Sequence, residues 1–77
     1  MRNQQIQYYD PYSILVIRSS GNLVQVFVPF KAICIQPVNH LKKDTLVYIE
    51  QVAPDTHYTL IYRVIDAWFP YDCFRLI

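Results

Sequence analysis

No stretch of this chain keeps an apolar stripe at the i, i+3, i+4 spacing of a helix, whereas short runs alternate at the period of a strand. β-branched and aromatic residues fill those runs, and Pro, Asn, Asp and Ser punctuate them at short intervals. The pattern predicts an all-β fold of five to six short antiparallel strands. One runs over 13–18, where Ile14, Leu15, Val16 and Ile17 follow in succession, and a second over 23–28. Between them stand Ser19, Ser20, Gly21 and Asn22, a turn that places the chain's single glycine where a positive φ is needed. In 23–28, Val24, Val26 and Val28 share one face, with Leu23, Gln25 and Phe27 on the other.

Pro29 interrupts the ladder, and the apolar pattern resumes over 31–36, which predicts a kink between two sheets or at a barrel corner. A third strand is expected over 45–52 and a fourth over 58–65. In the fourth, Tyr58, Leu60, Tyr62 and Val64 face one way. Asp66 and Ala67 read as a tight turn, and 70–74 as one 3₁₀ turn before a closing strand, 75–77. So many short strands in 77 residues cannot form a sandwich of ordinary size, so a bent sheet closing on itself is the economical expectation.

The chain is one domain, 1–77, and 53% of its residues are hydrophobic, enough for a dense core. The net charge of +1 creates no long-range field to gather polyanions and little repulsion between copies. Residues 1–7 are polar and the first apolar run is far too short for a span or a signal core, so the expected address is cytoplasmic, with no membrane association. In that compartment Cys34 and Cys73, lacking CxxC spacing, read as buried free thiols.

No catalytic constellation emerges, so no enzyme activity and no cofactor are expected. His40 and His57 lie in loops near Asp44 and Asp55, but neither has a nucleophile beside it. The carboxylates are spread singly, without metal-ligand spacing. Lys31, Lys42, Lys43 and Arg63 form a basic patch only if the fold gathers them; with exposed tyrosines, that would suit single-stranded nucleic acid. Tyr8, Tyr9, Tyr12, Tyr58, Tyr62 and Tyr71, with Trp68 and Phe69, are the least ordinary feature. They are either core or the material of a binding surface.

Residues 41–51 (Leu-Lys-Lys-Asp-Thr-Leu-Val-Tyr-Ile-Glu-Gln) resemble the diverging turn and following strand of SH3 and bacterial SH3-like domains, "L-x-K-G-D-x-L-x-V-x-E". Residues 68–77 (Trp-Phe-Pro-Tyr-Asp-Cys-Phe-Arg-Leu-Ile) resemble the family's "G-x-F-P-S-N-Y-V-x-L-I" ending, and Tyr9-Asp10 its opening Tyr-Asp. The resemblance implies a single small SH3-like barrel with a 3₁₀ turn near its C-terminus. It departs where the family binds proline-rich peptides. His57-Tyr58 stands at the groove tryptophan, Cys73 at the groove tyrosine, and two apolar strands replace the acidic loop. The implied function is a non-enzymatic protein-interaction module, with a nucleic-acid-binding small barrel as the alternative. On the family's layout Tyr9 and Tyr12 lie beside Pro70 and Tyr71 at one rim, where they would anchor a protein partner. The uncharged run 23–30 leaves the second strand poorly defended as an edge, so a homodimer is also expected.

Overall fold

A computed structural model describes residues 5–77. The start of the polar opening, residues 1–4, on which part of the cytoplasmic expectation rests, lies outside the described residues.

Nine strands follow in order: β1 (Gln5–Asp10), β2 (Ser13–Ile17), β3 (Leu23–Phe27), β4 (Phe30–Cys34), β5 (Leu46–Ile49), β6 (Gln51–Asp55), β7 (Thr59–Val64), β8 (Ala67–Pro70) and β9 (Phe74–Leu76), with a 3₁₀ turn at Tyr71–Cys73. They pair antiparallel in three sheets, ordered β1-β2-β3, β5-β4-β9 and β6-β7-β8. The all-β class is as the sequence predicts. Among the described residues the strands number nine rather than five to six, and their hydrogen bonding closes no barrel.

The extra strands have local causes. The first half of β1 reads in sequence as part of a polar lead, and Tyr8 to Pro11 as an extended or turn segment set by Asp-Pro, yet β1 pairs with β2 from Gln5↔Ile17 to Tyr8↔Ile14. The run 45–52 divides because its inward parity slips: Val47 and Ile49 are buried, then Val52, three residues on. One half joins β4 and the other β7, with Glu50 N–H donating to Arg63 O across the break at 2.9 Å. The turn between β7 and β8 uses Ile65 and Asp66, at φ 44° and 63°, rather than Asp66 and Ala67. Positive φ at both central positions is the mark of a type I′ two-residue hairpin, and here no glycine announces it.

At the other hairpin Gly21 takes φ 92° as expected, its N–H donating to Arg18 O at 2.8 Å. Pro29, preceded by a cis peptide, passes the chain from the first sheet to the second.

The core gathers Ile14 and Val16 from the first sheet, Phe30, Ala32, Cys34, Val47 and Ile49 from β4–β5, and Val52, Leu60, Tyr62, Val64, Phe69, Cys73 and Phe74 from the remainder. Tyr62 is its hub. Phe30 meets the Tyr62 ring edge-on, with centroids 5.6 Å apart and planes at 85°, and Phe74 lies 6.1 Å away. Such edge-to-face pairs add to the stabilisation that burial of the rings provides.

Candidate functional site

The corner between β1 and β2 presents the most exposed tyrosines. The β1–β2 register shifts between Tyr8 and Asp10, so Tyr9 sits in a bulge with no partner on β2. Beyond it the chain turns sharply, and Asp10 builds that turn. Its Oδ1 accepts the Tyr12 N–H at 2.8 Å and the Ser13 hydroxyl at 2.9 Å. Ser13 Oγ in turn accepts from Gln25 Nε2 on β3 at 3.0 Å, which satisfies a hydroxyl that is fully buried.

Two backbone bonds fasten the corner, one to β6 and one just past the end of β3. Pro11 O accepts from Val52 N–H and Tyr12 O from Val28 N–H, each at 2.9 Å. Above this fixed frame the side chains of Tyr9 and Tyr12 are each 57% exposed.

Pro70 and Tyr71 occupy a different environment. Pro70 ends β8 opposite Ile61 and is half-buried. Tyr71, also half-buried, packs against the core with its ring 6.3 Å from that of Tyr62 and inclined at 79°. Among the described residues, no hydrogen bond or ring contact joins Tyr9 or Tyr12 to Pro70 or Tyr71. β1 packs instead against β6. The four residues therefore form one exposed pair and one pair leaning on the core.

Asp55, Arg63, Cys34 and Cys73, also singled out in the sequence, are occupied by structure. Asp55 does not orient the His57 ring; its Oδ2 accepts the backbone N–H groups of His57 and Tyr58, each at 2.9 Å, as turn aspartates do. Arg63 bonds Asp66 at 3.1 Å and lies 3.9 Å from Glu50, so its charge is answered locally rather than lent to a basic patch. Cys34 and Cys73 are free and buried, and the Cys34 thiol donates to Gln36 O at 2.9 Å. Burial, then the neighbouring Asp72 and Cys34, push the Cys73 thiol above its usual range, which disfavours the reactive thiolate. Among the described residues no three His, Cys, Asp or Glu side chains gather as a metal site.

Two features escaped the sequence reading. A groove of about 210 Å³ opens between the first and second sheets, walled by Val24 and Val26 of β3, Phe30 and Leu76, with Arg18 and Lys31 beside it. It is smaller than the ~300 Å³ at which small-molecule pockets begin. The Asp10–Ser13–Gln25 chain was also missed, because nothing in the spacing of these residues announces that three strands bring them together.

Comparison with protein-family models, with curated proteins and with solved structures finds no match for this chain. No helix among the described residues is long and apolar enough to cross a membrane.

Proposed function

We propose that this chain is a non-enzymatic protein-interaction module, an SH3-like small barrel left open in its hydrogen bonding, working in the cytoplasm. The observation that carries this reading is the β1–β2 corner. There two tyrosines are more than half exposed while the backbone beneath them is pinned by Asp10, Ser13, Gln25 and two inter-strand bonds. Rigid, amphipathic rings on a fixed frame bury large area on binding at low entropic cost, which is the character of an interface hot spot. On the SH3-like layout the exposed faces of Pro70 and Tyr71 complete the surface. Two buried thiols suit a reducing compartment. Arg63's local ion pairs weaken the nucleic-acid alternative, since a positive groove needs uncommitted cations.

The test is a Tyr9→Ala, Tyr12→Ala double variant used as bait in an extract of the native host. Thermal stability should stay within about 1 kcal/mol of wild type, as surface substitutions do. Capture of the partner should fall at least tenfold, about 1.4 kcal/mol. Undiminished capture would remove the corner from the interface. Salt-sensitive binding of a generic oligonucleotide would replace the reading with the nucleic-acid one.

A further inference from the structure

β3 is a sheet edge whose exposed side is left open. Its register with β2 is fixed throughout, from Ser13↔Phe27 to Ile17↔Leu23. Hydrogen bonds flank that ladder at both ends, from Val28 N–H to Tyr12 O and from Arg18 N–H to Asn22 O. In an antiparallel pair, hydrogen-bonded positions recur every second residue. Val24 and Val26 therefore turn their backbone groups to β2, and Leu23, Gln25 and Phe27 turn theirs outward. Among the described residues no hydrogen bond takes up the outward N–H or C=O of these three. Their side chains are also outward, with Leu23 59% and Phe27 62% exposed.

Native sheets blunt such edges with charge, proline, bulges, brevity or a cover. The other edge strands here do so. β1 is bulged at Tyr9 and packs along β6, β6 contains Pro54, and β8 ends in Pro70. β9 is three residues long and carries Arg75, and β5 follows Lys42, Lys43 and Asp44. Among the described residues β3 has none of these within Leu23–Phe27, and no charged residue lies between Arg18 and Lys31.

We infer that β3 pairs with β3 of a second copy of this chain, antiparallel and centred on Gln25. The outward groups are symmetric about that residue. A two-fold axis through it sets Gln25 opposite Gln25 of the second copy, and Leu23 opposite Phe27 at either side. Three hydrogen-bonded pairs of this kind exchange about six backbone bonds. Each Leu23 side chain meets a phenylalanine, and the central amides face each other without charge. Two-fold closure also removes the open edge from both copies, so the assembly stops at a dimer. An unrelated strand would satisfy the backbone equally, but the mirrored apolar pair and the neutral centre are properties that two copies share by construction. This surface lies on the opposite edge of the sheet from β1 and uses the backbone of β3 rather than the exposed tyrosines; the two regions share Gln25, whose side chain bonds Ser13 Oγ.

Charge swapping at the axis tests it. Wild type should sediment as a dimer at ~10 μM. Gln25→Lys and Gln25→Glu place like charges opposite each other in the pair, so each alone should sediment as a monomer, its dissociation constant raised at least tenfold. An equimolar mixture of the two should recover the dimer as a heterodimer. Amide hydrogen exchange supplies a readout independent of any variant: protection at Leu23, Gln25 and Phe27 should rise with wild-type concentration. A wild type that remains monomeric at ~100 μM overturns the inference. So does a dimer indifferent to both substitutions, or a mixture that stays monomeric while wild type dimerises. A dimer that forms while partner capture ignores Tyr9 and Tyr12 would sink the proposed corner and leave this interface standing.

Discussion

The sheet formed by β1–β3 and the body that follows it are built on different terms. Of the buried apolar side chains described, the first sheet supplies Ile14 and Val16, whereas the aromatic centre of Phe30, Tyr62, Phe69 and Phe74 belongs to the body. The sheet's most buried polar group, Ser13, and its turn residue Asp10 are spent on holding a corner. Its exposed positions carry Tyr9, Tyr12, Leu23 and Phe27. A small domain has little apolar area to spare. The body also exposes Tyr48, Tyr58 and Trp68, so the contrast lies in the core: all four buried rings described, Phe30, Tyr62, Phe69 and Phe74, come from the body and none from the first sheet.

Two phenylalanines break or sharpen that contrast most strongly. Phe74 is buried between Tyr62 and Phe69, with centroids 6.1 Å and 6.0 Å away, while Phe27 stands on the open face of β3. Phe74→Ala should cost about 3–5 kcal/mol in urea denaturation, from lost transfer energy and the cavity left behind. Phe27→Ala, measured where the chain is monomeric, should change stability by no more than about 0.5 kcal/mol. Equal losses at the two sites would dissolve the distinction between body and sheet.

What the sequence disclosed follows the same boundary. Alternation in β3 and β7 was legible because one face of each meets the core: Val24, Val26 and Val28 half-buried, and Leu60, Tyr62 and Val64 buried. β1 was not legible, since Gln5-Ile6-Gln7 holds a single apolar residue, too little to set an alternation that Tyr8 and Tyr9 could continue, and its pairing comes from β2. The division at Glu50 was hidden because both halves are apolar, and only burial shows that their parity differs. Ile65, a strand-forming residue, concealed the turn it occupies. At the candidate site the residue types were visible but their exposure was not. Tyr9 and Tyr71 look alike in sequence, and it takes Tyr62 to hold one of them against the core.

The corner offers an intermediate test, because polar bonds rather than apolar burial hold it. Asp10→Ala removes an acceptor from the Tyr12 amide and the Ser13 hydroxyl together. Hydrogen bonds to a charged group contribute more than neutral ones, so the loss should be about 2 kcal/mol. It should appear first as faster exchange of the Tyr12 amide, with the body unaffected. Asp10→Asn keeps an acceptor oxygen and should lose roughly half as much. An Asp10→Ala protein as stable as wild type, its Tyr12 amide still protected, would mean the corner is fixed by its backbone bonds alone.

A smaller effect than at the corner lies at the centre of the body and runs the other way. Tyr62 is fully buried, yet among the described residues its hydroxyl has no hydrogen-bond partner. Its ring provides the edge contacts with Phe30 and Tyr71, while its oxygen has lost water and gained nothing. Tyr62→Phe keeps the ring and removes the oxygen, so it should stabilise the fold by about 1 kcal/mol at neutral pH. The alkaline limb separates this cause from mere repacking. Burial, and secondarily Tyr71, raise the Tyr62 pKa above its ordinary value of 10.0. Below that pH the phenol is neutral in both states and contributes no pH dependence. Above it the unfolded chain releases the proton while the folded chain retains it, so stability falls by about 1.4 kcal/mol per pH unit for this one group. Tyr62→Phe should remove that increment, making its loss of stability between about pH 10 and 11 shallower than that of wild type. A variant that loses stability at neutral pH would show the hydroxyl to be satisfied within the core. One that gains stability but keeps the wild-type alkaline slope would place the gain in packing and free Tyr62 from the pH response.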